Sequence, residues 1–235
     1  MDEPRQSGLH WPGWRQLCFA YALGIGCTVF FAAVYGGADW LARQHTYRVH
    51  LHTDTDLHIP FVPMASPVYL SLNALFWISP FILRTRAELV AFVKGLMWAT
   101  VLAGVGFVLL PAEAAFSAPS GEKLGVWRVC YDTARAIALE NNFFPSLHVA
   151  FTVICWIVMV PRLRTLGRIV VSCWALAIVA STLLTHQHYL ADVGAGLILA
   201  PFAVRFARAP RPAQRKVLAT QTDGPTPEMH RASSV

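Results

Sequence analysis

Read for polarity alone, the chain alternates long apolar runs with short polar breaks. Six runs approach the roughly 20 apolar residues that a helix needs to cross a bilayer: about 17–35, 68–83, 89–110, 145–160, 169–185 and 189–206. The second and fourth are short, so their ends are expected at the interface or against protein. The first is longer than the roughly 7–15 apolar residues of a signal peptide, and reads as a retained helix. The pattern predicts an all-α integral membrane bundle of six transmembrane helices. A segment 1–16 precedes a membrane domain of 17–208, and a Pro-rich polar tail, expected to be disordered, fills 209–235.

Lysine and arginine set the expected orientation. Arg84 and Arg86 separate the second and third runs, and Arg162, Arg164 and Arg168 the fourth and fifth. Arg205, Arg208, Arg211, Arg215 and Lys216 follow the sixth. An even number of spans puts these clusters on one side with Arg5 and Arg15. That side is expected to be cytoplasmic, with both termini on it. The long connections 36–67 and 111–144 and the tight "HQH" junction then face outward, toward a periplasm or cell exterior; a bacterial inner membrane fits the short loops.

Composition agrees. The chain is 235 residues long, with 55% hydrophobic and 14% charged residues, against about 25% charged in a soluble domain. The net charge of +6 forms no long basic run and accompanies no zinc or RNA-binding motif, so nucleic acid is not an expected partner. Cys18, Cys27, Cys155 and Cys173 lie in apolar runs and Cys130 stands alone, which is no disulfide framework.

The informative residues are ionisable ones at the ends of apolar runs, where burial in lipid is costly. His148 follows Pro145 and Ser146 at the start of the fourth run. Pro145 suits a first helical position and Asn141 or Asn142 a cap. The free N–H groups of such a helix start form an anion site, to which Ser146 adds a hydroxyl. In "STLLTHQHYLADVGAG", residues 181–196, His188 and Asp192 are four apart and share a helical face. A carboxylate there fixes the imidazole tautomer and leaves Nε2 to act. Two imidazoles, one carboxylate and a helix start suit phosphoryl transfer. The competing readings are a hydrogen-bonded core histidine and a self-satisfied His–Asp pair.

These residues resemble the type 2 phosphatidic acid phosphatase superfamily of membrane-embedded lipid phosphatases and phosphotransferases. Its PSGH motif is similar to Pro145-Ser146-Leu147-His148, with Leu in place of Gly. Its S-R-x5-H-x3-D motif is similar to Ser181-Thr182 through His188 to Asp192, with Thr in place of Arg. Its K-x6-R-P motif has no counterpart here. The departures resemble the divergent branch that includes inositol-phosphorylceramide-synthase-like proteins. The resemblance implies that His188 is the nucleophile, Asp192 its orienting partner, His148 the general acid and Ser146 a phosphate ligand. It further implies a lipid phosphate substrate taken from the membrane, with no metal and no cofactor. Phosphatase is the expected activity, with a phosphotransferase using an acceptor alcohol as the alternative.

The missing motif arginines and lysine leave the phosphate clamp to other residues. His186, Arg128 and Arg135 are the candidates, with Lys123 behind them. A metal reading has two forms. One uses the loop histidines His45, His50, His52 and His58 with Asp54 and Asp56, although Pro60 and Pro63 favour an irregular solvated or interfacial loop there, and the other pairs His186 and His188 with His148 and Asp192. Loop 111–144 is long enough for a lid or an interfacial helix. A non-catalytic transporter or scaffold is the rival from another class. It would be expected to break its helices at mid-membrane, whereas here the polar residues gather at helix ends.

Overall fold

A computed structural model describes residues 8–112, 116, 119–139 and 141–208. Arg5, Arg211, Arg215, Lys216 and the predicted tail lie outside the described residues. The architecture is all-helical; among the described residues the sole β contact is an isolated bridge between Val49 and Ala112. The helices are α1 (Trp14–Arg43), α2 (Asp54–Leu57), α3 (Ser66–Leu70), α4 (Leu72–Ile82), α5 (Arg86–Leu109), α6 (Gly121–Leu124), α7 (Arg128–Ile137), α8 (Leu147–Met159), α9 (Thr165–Leu184) and α10 (Leu190–Arg208).

Among the described residues five segments are long and apolar enough to cross a membrane: α1, α5, α9, α10 and the nearly continuous Pro63–Ile82 formed by a 3₁₀ turn, α3 and α4. The fourth predicted run is the shorter α8, extended by a 3₁₀ turn over Val160–Arg162. Its brevity has a structural reason. α8 packs against α4, α5, α9 and α10, and Val149, Ala150, Ile154, Cys155 and Met159 are fully buried. A helix sheathed in protein has no lipid thickness to match.

The breaks at one end of the bundle are tied together. Gly8 N–H donates to the Arg162 carbonyl (3.0 Å) and His10 N–H to that of Phe81 (3.0 Å). Gln16 reaches the carbonyls of Leu83 and Arg84, and Arg162 pairs with Glu88 at 2.9 Å. The arginine-rich turns before α5 and α9 therefore share this end, as the charge pattern predicts.

The opposite end differs from the sequence reading at α1. The first helix does not stop near Tyr35 but runs on to Arg43, 30 residues in all. At about 1.5 Å per residue it is roughly 45 Å long, well beyond a hydrocarbon core of about 30 Å. Contacts from outside the helix hold the extension. Asp39 Oδ1 accepts from the backbone N–H (3.2 Å) and side-chain Nδ2 (3.0 Å) of Asn141, and Asn142 Nδ2 donates to the Tyr35 carbonyl (2.9 Å). The connection from 110 to 146 carries α7, whose Tyr131 and Ala134 are buried while Val129 is 75% exposed. This amphipathic helix packs against α3.

Candidate active site

Three helix ends meet away from the arginine-rich turns. α8 begins with Ser146 as its cap: Ser146 Oγ accepts from Val149 N–H (3.3 Å). This corrects the expected start, because neither Asn141 nor Asn142 caps the helix and Pro145 precedes it. Both asparagine amides are committed to α1 instead. Ser146 is fully buried, so capping is what its hydroxyl does here.

α9 ends in a Schellman turn. Gln187 N–H donates to Thr182 C=O (3.0 Å) and His186 N–H to Leu183 C=O (3.0 Å). His186 occupies the left-handed position with φ 54°, where most closures use glycine. Its ring explains why a bulky residue is held there. Nε2–H donates to the Ile59 carbonyl (2.9 Å), and the ring stacks on Phe116 with centroids 3.8 Å apart. Thr182, at the position where the resembled motif has Arg, is buried and bonds back to Val179. Its carbonyl also accepts from His188 N–H (3.2 Å), which sets the turn that presents His188.

α10 starts under two carboxylates, as the positive end of a helix favours. Asp192 Oδ2 accepts from Tyr189 N–H (2.9 Å). The second carboxylate comes from the distant loop: Asp56, 1% exposed, accepts Leu190 N–H on Oδ1 (2.7 Å) and both Thr53 N–H and Thr53 Oγ–H on Oδ2 (2.8 Å each). Burial pushes the Asp56 pKa up, but the hydrogen bonds from Leu190 and Thr53 and the charge of His52 outweigh it and hold the carboxyl below the usual carboxylate range. A depressed pKa means stability that is present above the unfolded value near 4 and lost as pH falls through the folded value. Asp56→Asn should therefore cost about 1–3 kcal/mol at neutral pH. In chemical unfolding monitored by tryptophan fluorescence, the gap to wild type should close below about pH 4.

The three ends are locked in register: Ser146 N–H donates to the Asp192 carbonyl (3.1 Å). Gly196 lies so close to α8 that a Cβ there would sit 2.6 Å from the Ser146 carbonyl oxygen. Around this lock the titratable groups assemble. His188 Nδ1 lies 3.4 Å from Asp192 Oδ2. Neither Nδ1 nor the buried Asp192 Oδ1 has a hydrogen-bond partner among the described residues. His148 stacks on Tyr69, centroids 3.8 Å apart and 11° from parallel. Its Nε2–H donates to the Tyr69 carbonyl (2.9 Å), which fixes the tautomer and leaves Nδ1 available.

His148 and His188 line one cleft of about 1210 Å³ that extends down the apolar interior between α1 and α4. Arg135 lines its mouth, as do Arg43 and Arg48. Arg43 is held by Asp39 (2.7 Å), and Arg48 is steadied by the carbonyls of His45 and Tyr47. The remaining sequence candidates stand apart. Ser146 and His186 do not line the cleft. Arg128 pairs with Asp132 at 3.4 Å with two thirds of its side chain exposed. Among the described residues no three His, Cys, Asp or Glu side chains cluster as metal ligands would. Arg43 was detectable as an i,i+4 partner of Asp39, but only had the helix been extended past the glycine pair at 36–37; Arg48 carries no local signal.

Membrane-length helices with a two-histidine, one-carboxylate site at the mouth of an apolar cleft define the class: an integral membrane protein with a histidine-based site. Residues 44–206 match the family model of the PAP2 superfamily, and the chain belongs to that superfamily. Membership points to a phosphatase-type enzyme, either a phosphatase or a phosphotransferase. No curated protein and no solved structure matches the chain.

Proposed function

We propose that this protein is a metal-independent lipid phosphate phosphatase whose site lies at the outer membrane face and works through a phosphohistidine. The observation that carries the reading is the shared cleft: two histidines, one in the first turn of α8 and the other in the turn before α10 beside a buried carboxylate, face a space ringed by arginines and continuous with an apolar interior.

In the first step His188 Nε2 attacks phosphorus in line and the bond from phosphorus to the lipid oxygen breaks. His148, entering the step as the imidazolium with a proton on each ring nitrogen, gives its Nδ1 proton to the departing oxygen. Asp192 keeps the proton of His188 on Nδ1 and stabilises the cation that develops. Water then attacks the phosphohistidine, losing a proton to His148 as the P–N bond breaks and inorganic phosphate leaves. An acceptor alcohol in place of water makes the same site a phosphotransferase. Arg43, Arg48 and Arg135 supply the fixed positive charge that the spectator oxygens need, in place of the lysine and arginines that the family motifs would have provided. Ser146 acts through the helix start it caps.

The test is phosphate release by the purified protein from a panel of lipid phosphates with EDTA present, together with acid quenching and alkaline quenching of the labelled enzyme. EDTA-resistant release and an alkali-stable, acid-labile phosphoenzyme are expected. EDTA-sensitive release would move the chemistry to a metal, and release with no trapped intermediate would point to direct attack by water.

A further inference from the structure

The cleft is far deeper than a phosphate needs. On α1 its lining follows one helical stripe, Ala20, Gly24, Cys27, Thr28, Phe31 and Tyr35. At about 1.5 Å per residue this stripe is roughly 22 Å long. One leaflet contributes about half of a 30 Å hydrocarbon core, roughly 15 Å, so the cleft continues past the bilayer midplane. Its floor is α5 and α8, through Leu89, Phe92, Leu96 and Phe151, and its far wall is α4.

Three observations show the cleft open along its side. No residue of α1 between Ala20 and Ala38 is buried, although the segment is among the most apolar in the chain. α1 packs along α5 and meets α4 only sparingly, chiefly where Tyr21 and Trp77 approach with centroids 5.5 Å apart. A Cβ on Gly24 would meet nothing within 4 Å. In a membrane such a flank faces lipid, and an apolar channel that is charged only at its mouth is complementary to an amphiphile with an anionic head.

We infer that the cleft between α1 and α4 receives the hydrocarbon chain of the substrate from the side, and that it selects a lipid phosphate carrying a chain longer than one leaflet is deep. This rests on the reading that the site acts on a lipid phosphate. The polarity of the walls sets the register. Arg43, Arg48 and Arg135 hold the head at the mouth, and the chain lies along α1 toward the Arg84–Arg86 end.

The test compares alkyl phosphates of increasing chain length, at equal surface fraction in detergent micelles, with a short water-soluble phosphate ester. For wild type, kcat/KM should rise through chains that fill one leaflet and keep rising, at least tenfold, for chains that reach the inner half. Gly24→Trp, which places a ring in the cleft, should lower the long-to-short ratio at least tenfold. Val29→Trp, on the lipid-facing side of the same helix with Val29 65% exposed, should leave that ratio within twofold. A flat chain-length profile, or equal effects of the two tryptophans, overturns the inference while leaving the phosphatase intact.

If wild type fails to hydrolyse the short ester as well, the phosphatase reading fails, and binding still decides the cleft. Cys27 lines it and is half-buried. With Cys18, Cys130 and Cys173 changed to serine, a long-chain alkyl phosphonate should protect Cys27 from a maleimide and a short-chain one should not. Equal protection by both, protection by neither, or protection that follows protein concentration as a second copy would produce, overturns the proposal.

Discussion

His188→Ala should cut phosphate release by about 10⁴-fold or more, the scale on which removing a nucleophile acts, while the protein unfolds within about 1 kcal/mol of wild type. The small stability effect follows from the geometry. His188 Nδ1 has no hydrogen-bond partner among the described residues, and the nearest ring partner, Phe143, lies at a loose 6.4 Å. What positions the residue is backbone, the donation of its N–H to Thr182, which alanine keeps. Asp192→Asn is the informative companion. An amide oxygen at that position still accepts from Tyr189 N–H, so the helix start survives, but the negative charge beside His188 is gone. Turnover should fall by about 10²–10⁴-fold with the phosphoenzyme still trappable. Loss of activity in His188→Ala without loss of fold, measured by circular dichroism and a detergent-stability assay in parallel, separates chemistry from architecture. Comparable activity in His188→Ala and wild type would remove His188 from the nucleophile's role.

Why His148, His188 and Asp192 stand out in the sequence as candidates, and Arg43 and Arg48 do not, is a matter of contrast with background. An imidazole or carboxylate at the end of an apolar run stands against a strong energetic prohibition, so its presence is informative before any fold is known. An arginine in a polar connection stands against none. Only the extension of α1 to Arg43, held by Asp39 and Asn141 more than 100 positions apart in sequence, turns Arg43 toward the cleft. Helix positions were legible for the same reason as the histidines, since hydropathy sums over many residues. Helix ends were not, because they depend on single hydrogen bonds. Ser146 wins the cap of α8 because its oxygen sits one residue before the helix, whereas Asn141 and Asn142 find partners on α1. The His- and Asp-rich loop at 45–58 illustrates the same limit. Composition suggested metal ligation or a solvated loop, and its best-defined contribution is a single carboxylate, Asp56, capping α10 from 134 positions away.

The geometry that relates the two histidines depends on a residue with no side chain. A methyl group on Gly196 would stand 2.6 Å from the Ser146 carbonyl oxygen, 3.0 Å from Val149 Cβ and 3.2 Å from Val149 Cγ1. The first of these is backbone and cannot rotate away, so α8 and α10 must separate. That separation strains the bond from Ser146 N–H to the Asp192 carbonyl, which ties the start of the His148 helix to the first turn after His188. Overpacking of this kind costs about 1–3 kcal/mol, and a shift near 1 Å between catalytic groups costs on the order of 10²-fold in rate. Gly196→Ala should therefore lose about 100-fold in kcat alongside that cost of about 1–3 kcal/mol in stability. Gly194→Ala is the matched control. It lies two residues earlier on the same helix, and a Cβ there meets nothing within 4 Å. It should keep wild-type turnover and gain up to about 1 kcal/mol from its better helix propensity. Equal activity in the two variants would show that the contact between α8 and α10 can relax without moving His148 relative to His188, and the two helices would then have to be treated as independent supports of the site.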